Sequence, residues 1–281
     1  MGTFAHRLRS LLTWTSPSLI PNEPAHPFDR AYKVDTSGLY YADRLPTGHP
    51  HDQYSEGYYA SAPSLFYGAL AQWQATLPAA AGLPAADGLA GPGLKVEHYT
   101  FVDLGCGKGR VLLMASTHPF RAVRGIELNA NLVRVARRNL RTWSKGGRAV
   151  CADVQVICGD VLGPKHDPVL ERVLDAGGPV VLFLFNSFAA EVLAGLMERL
   201  AGAARTPRQT PIDLIYVHPE HDRLVAATPG IELLRHADIP FSYEDVKADL
   251  FGVSSDICSV WRIANRDSDR GGNRGPTRAT A

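Results

Sequence analysis

The strongest constraint on the fold is a repeat of apolar strand-like and helix-like segments between residues 98 and 264. YTFVDLG is followed by GRVLLMAST, AVRGIEL by NANLVRVARRNLRTW, VQVICGD by VLERVLDA, and VVLFLFN by AAEVLAGLMERLAGA. IDLIYVHP, GIELLRHADI and ICSVWRIA supply three further strands. The early strands are apolar throughout rather than alternating, so both of their faces must be covered, as in a parallel sheet with helices on each side. Right-handed crossovers then predict a doubly wound α/β sheet, whose ligands bind outside the carboxyl ends of the strands. Asn129 precedes the amphipathic helix NANLVRVARRNLRTW and is placed to cap it.

The flanks read differently. Residues 1–27 form a leader with Arg7 and Arg9 and no acid before Glu23. That composition has the look of an organelle transit peptide, but the expectation is a short disordered leader on a cytoplasmic chain. Residues 28–97 read as an N-terminal cap, with a helix over PSLFYGALAQWQATL, and then an Ala/Gly/Pro linker. Residues 265–281 read as a disordered tail. Lys plus Arg is 29 against 28 for Asp plus Glu, a balance that gives no support to nucleic-acid binding. No apolar run reaches the roughly 20 residues of a membrane span. Cys106, Cys151, Cys158 and Cys258 form no C-x-x-C pair, so neither a zinc site nor a thioredoxin-like motif is indicated.

Four strand ends carry the candidate chemistry. Asp103-Leu104-Gly105-Cys106-Gly107-Lys108-Gly109-Arg110 joins the first strand to the first helix. Its glycines permit positive φ and let a ligand touch the backbone. Dinucleotide folds use G-x-G-x-x-G, whereas Arg110 stands where the third glycine would fall. That departure favours S-adenosylmethionine over NAD, with Asp103 holding the ammonium end. Glu127 ends the next strand, where a carboxylate can accept both ribose hydroxyls. Gly159-Asp160 ends the third; Asp160 can accept an adenine exocyclic amine, and the Val161 N–H can reach a ring nitrogen. Phe185-Asn186-Ser187-Phe188 ends the fourth, placing the Asn186 amide beside a reacting group or, equally, at the start of the following helix.

VDLGCGKGR, GIEL, CGD and LFNSF, in this order and spacing, resemble motifs I to IV of class I S-adenosylmethionine-dependent methyltransferases, over residues 98–264. FDRAYKVDTSG, Tyr58-Tyr59 and LFNSF also resemble a group of bacterial methyltransferase-domain proteins. Those have Asn-Pro-Phe where this chain has Asn186-Ser187-Phe188, and Tyr-x-Pro where it has Tyr59-Ala60-Ser61. The resemblance implies a Rossmann-like, seven-stranded, mostly parallel sheet with ICSVWRIA as an antiparallel last strand. It implies methyl transfer from S-adenosylmethionine bound by Asp103, Gly105, Gly107, Glu127, Asp160 and Val161.

Asn186, Tyr58 and Tyr59 are the candidate catalytic residues. The tyrosines would wall the site and the amide would orient the acceptor. An NAD-type oxidoreductase and a cofactor-binding but silent regulatory protein are the alternatives. A protein side chain or a small molecule is expected as acceptor ahead of nucleic acid, since Asn186-Ser187-Phe188 lacks the Asn/Asp-Pro-Pro-aromatic pattern of base amino-methylating enzymes. No metal is expected. His218-Pro219-Glu220-His221-Asp222 reads as strand end plus helix start, with His218 a pocket residue, and His49 and His51 as solvated loop residues.

Overall fold

The computed structural model describes residues 25–54, 56–77, 94–163, 168–205 and 210–263. The expected tail, and most of the expected leader and linker, lie outside these residues; residues 25–27 of the leader are described, and Pro27 opens α1. In chain order the elements are α1 (Pro27–Tyr32), β1 (Leu39–Tyr40), β2 (Tyr58–Tyr59), α2 (Pro63–Gln74), β3 (Thr100–Leu104), α3 (Arg110–Ala115), β4 (Ala122–Glu127), α4 (Ala130–Lys145) and β5 (Val154–Cys158). There follow α5 (Val169–Leu174), β6 (Val180–Phe185), α6 (Ala190–Arg205), β7 (Ile212–Val217), α7 (Asp222–Ala226), β8 (Ile231–Pro240), α8 (Tyr243–Ala248) and β9 (Ser255–Ile263).

Seven strands form one sheet in the order β5-β4-β3-β6-β7-β9-β8. β3 to β7 are parallel, and β9 runs antiparallel between β7 and β8. This is the doubly wound sheet with an antiparallel last strand that the sequence leads one to expect. Side chains alternate across it. Phe101, Val181, Phe183, Ile215 and Val217 enter one apolar cluster with α2, α3 and α4. Val102, Leu104, Val180, Leu182, Leu184 and Leu214 enter the other with α5 and α6. A period of two divides each apolar run between two cores, which is why no polar face is visible in the sequence.

Helix α2 is the element whose place the sequence did not disclose. It lies on the sheet face against β7, β8 and β9, with Leu65, Phe66, Ala69, Leu70 and Trp73 buried at helical spacing. Gly68 faces β8 so closely that a Cβ there would lie 2.3 Å from Ile239. The helix reaches a buried acid as well. Asp213 at the start of β7 accepts a hydrogen bond from Trp73 Nε1 (2.9 Å) and two from its cross-strand neighbour Arg262 (2.7 and 2.9 Å). Burial pushes the adjacent Tyr99 hydroxyl to a raised pKa, with Asp213 adding to the effect. Asn129 caps α4 as expected, its side chain accepting from the Asn131 and Leu132 amides (2.9 and 3.2 Å). Cys106, Cys151, Cys158 and Cys258 are free thiols. Among the described residues no helix is long and apolar enough to cross a membrane.

Replacing Asp213 by alanine strands the Arg262 charge and the Trp73 N–H in the α2–sheet interface. A loss of about 3–5 kcal/mol in urea unfolding is expected, whereas a change under about 1 kcal/mol would show that the pair contributes little.

Candidate functional site

The carboxyl edge of the sheet is built around the turn from β3 into α3, beside the point where strand order reverses between β3 and β6. Gly105 (φ 77°), Gly107 (φ 51°) and Gly109 (φ 86°) all take left-handed backbone. At Gly107 the reason is visible. The Tyr58 ring lies over it, and a Cβ there would come within 2.3 Å of that ring. Asn186 (φ 34°) and His218 (φ 51°), at the ends of neighbouring β6 and β7, share the positive φ without being glycine. Non-glycine residues held in this region cluster at functional sites.

Acids stand at or just beyond the ends of β3, β4 and β5. Asp103 is 4% exposed, and burial, then the nearby Glu127 charge, pushes its carboxyl well above the usual carboxylate range. Glu127 accepts the Gly107 amide (2.9 Å) on one oxygen and the Asn129 amide (2.8 Å) on the other. Burial raises its carboxyl too, against the pull of those amides. Asp160 accepts the Leu162 amide (2.9 Å).

Two adjoining cavities collect these residues. One is lined by Gly105, Gly107, Glu127, Asp160 and Val161 and by Tyr58. The other is lined by Asp103, Gly105, Asn186, Tyr58 and Tyr59. All nine residues singled out from the sequence border one or the other of these cavities, which have Gly57, Tyr58, Gly105 and Ser187 in common. Their polar atoms are engaged in ways the sequence did not show. The Tyr58 hydroxyl donates to the Thr36 carbonyl (2.6 Å). The Tyr59 hydroxyl donates to Asp249 (3.1 Å) and accepts from the Leu250 amide (3.2 Å). Asn186 Oδ1 accepts from the buried Tyr216 hydroxyl (3.3 Å).

Sequence reasoning missed the strap formed by residues 26–40. Lys108 and Arg110, inside the glycine motif, bind this strap. Lys108 Nζ donates to the Ser37 carbonyl (2.6 Å) and pairs with Asp35 (3.0 Å). Arg110, 4% exposed, donates to Thr36 Oγ1 (2.6 Å) and lies 3.7 Å from the buried Asp29 carboxylate. Asn139 on α4 holds both the Asp35 amide and carbonyl (2.9 and 2.8 Å). The far end of the strap is fixed by His26, whose Nε2 lies 3.1 Å from Asp245 on α8. The available signal was two cations in the glycine loop and two acids, Asp29 and Asp35, in a segment that must pack somewhere.

His49 and His51 correct an expectation. They are not freely solvated: the loop after β1 lines the cavity that holds Glu127 and Asp160, and His51 Nδ1 lies 2.8 Å from Asp160, with His49 Nε2 at 3.9 Å. The three side chains could together hold a metal ion, a grouping that the sequence spacing did not suggest.

No protein-family model and no curated protein matches this chain. Solved structures do match it. An RNA methyltransferase from Salinibacter ruber, in complex with S-adenosyl-L-homocysteine, is 19% identical over 60% of this chain and 84% of that one, with a TM-score of 0.34. A SAM-dependent methyltransferase from Anabaena variabilis is 14% identical over 59% and 76%, at 0.40. The N-methyltransferase NodS from Bradyrhizobium japonicum is 8% identical over 59% and 86%, at 0.39. At such scores the reaction and the acceptor rest on the geometry of the site.

The strap generates a pH prediction. Burial raises the Asp245 carboxyl, but hydrogen bonds from His26, Ser64 and Ser242 outweigh it and leave the pKa at about 2. A depressed folded-state pKa gives stability that is present above the unfolded value and lost as pH falls through the folded one. Stability should therefore drop by about 2 kcal/mol between pH 5 and pH 2 through this group. Asp245→Asn should flatten that part of the curve in acid-titrated urea unfolding; an unchanged curve would refute the assignment.

Proposed function

We propose that the protein transfers a methyl group from S-adenosylmethionine to an acceptor bound beside Asn186. The observation that carries this reading is the placement of Asp103, Glu127 and Asp160, at the ends of three adjacent strands, along two adjoining cavities that share the left-handed Gly105. The residues fit the cofactor. Asp103 is a buried carboxylate that favours a cation, which the methionine ammonium supplies. Glu127 keeps acceptor capacity for ribose hydroxyls, since each carboxylate oxygen has two lone pairs and the structure uses one on a backbone amide. Asp160 exchanges its His51 contact for the adenine amine, and the Val161 amide serves a ring nitrogen.

The site suits a dinucleotide poorly. A pyrophosphate needs loop amides, yet the Gly107 amide donates to Glu127 and the two buried carboxylates repel phosphate. Bound here, the cofactor supplies an electrophilic methyl on a sulfonium. The chain itself positions and desolvates the acceptor, through the Asn186 amide below and the Tyr58 and Tyr59 rings above. The neighbouring cavity bears Asp238, Asp249 and Asp256, which supports a protein side chain or a small molecule over a polyphosphate backbone.

Calorimetry tests the reading directly. S-adenosylmethionine and S-adenosylhomocysteine should bind and NAD should not; tighter binding of NAD would overturn it. Glu127→Ala should weaken S-adenosylhomocysteine by about 10- to 150-fold. Affinity should also rise with pH through the raised Asp103 pKa, because the ammonium selects the ionised carboxylate and binding releases a proton. Asp103→Asn should remove that dependence.

A further inference from the structure

A third cavity adjoins the one that Asn186 lines, with Tyr59, Arg110 and Phe185 lining both. Its floor holds a pair of groups that the cofactor reading leaves unused. His218, at the end of β7 next to the β6 end that bears Asn186, has its Nδ1 2.9 and 3.0 Å from the two Asp256 carboxylate oxygens. The backbone fixes the ring further. His218 takes φ 51°, and its amide donates to the Ile257 carbonyl (2.9 Å). The Phe185 ring lies edge-on to the imidazole, with centroids 6.5 Å apart. A carboxylate on Nδ1 selects the tautomer that carries its proton there and leaves Nε2 as the basic nitrogen. Glu220, 3.8 Å from Nε2, stabilises the imidazolium that results from proton uptake.

The walls indicate what brings the proton. Tyr59, Phe185, Phe241 and Phe251 present aromatic surface, and Asp249 and Asp256 present carboxylates. Aromatic faces combined with carboxylates attract an ammonium and repel an anion. We propose that the acceptor is an amine on an apolar body, arriving protonated, with His218 as the general base and Asp256 as its positioning residue. This rests on the methyltransferase reading. His218 Nε2 removes one proton from the ammonium. The freed nitrogen lone pair forms the N–C bond to the methyl, and the C–S bond breaks with its electron pair moving to sulfur. The products are S-adenosylhomocysteine and the methylated ammonium, and His218 returns its proton to solvent.

The test uses the full chain, saturated with S-adenosylhomocysteine for binding or S-adenosylmethionine for turnover, with phenethylamine and phenylacetate as matched probes. The amine should bind at least about 10-fold more tightly than the acid, and the unaltered protein should release S-adenosylhomocysteine with the amine. His218→Gln should lower that rate by about 100-fold or more while leaving S-adenosylhomocysteine affinity and melting temperature in place. Asp256→Asn should lower the plateau and alter the pH profile of the rate, because the ring loses the carboxylate that fixes its tautomer and orientation. A merely structural role would not move the profile. Absence of amine preference, absence of turnover with the amine, or a His218→Gln rate within about threefold of the unaltered protein overturns the proposal. Failure of S-adenosylhomocysteine to bind the unaltered protein would instead remove the methyltransferase reading, and this one with it.

Discussion

The contact on which the site depends is the reach of Arg110 and Lys108 out of the glycine loop into the N-terminal strap. Both cations are almost wholly buried, and a buried cation is tolerable only when paired and hydrogen-bonded. Asp29, Asp35, Thr36 and the Ser37 carbonyl meet that requirement. The loop and the strap are thus each other's condition. The glycines make the turn, the cations beside them recruit residues 26–40, and that segment carries the chain on to the Tyr58 ring that rests on Gly107. An aromatic lid follows from the sequence of a turn because charge in that turn has to be neutralised from outside it.

Electrostatics then divide the carboxyl edge into regions with different tasks. Around the glycine turn, Asp103 and Glu127 are both buried, and the Glu127 charge adds to the cost of ionising Asp103, so the free site favours a cationic group. Toward β8 and β9 the carboxylates are individually held: Asp245 by His26 and Ser64, Asp249 by backbone amides and Tyr59, Asp256 by His218. These acids line the third cavity. Asn186 and His218 stand at the boundary on adjacent strand ends, both in backbone conformations that the surrounding packing must enforce.

Much of this was legible beforehand because it is encoded locally. An acid at a strand end lies at a fixed offset from an apolar run, so Asp103, Glu127 and Asp160 could be placed at the carboxyl edge from spacing. Asn129 could be named as a cap because capping spans only two or three residues. Helices α1 and α8 were missed because, unlike the equally short α3 and α5, neither lies in the strand–helix alternation that marks a crossover, although Ser242 caps α8 through the Asp245 amide.

The sequence by itself determined the alternation of strands and helices, the parallel character of the sheet and the row of acids along its carboxyl edge. Periodicity, turn residues and caps act over a few residues and leave their mark in the order of the chain. Only the tertiary structure decided which side chains meet across the fold. Asp256 reaches His218 from 38 residues away, Lys108 meets Asp35 from 73, and Asp213 meets Trp73 from 140. His51 lies on Asp160 because a loop crosses the cavity, not because of any pattern around either residue. Such pairs are chosen by strand order and by the need of each buried charge for a partner, and both exist only once the sheet has closed on its helices.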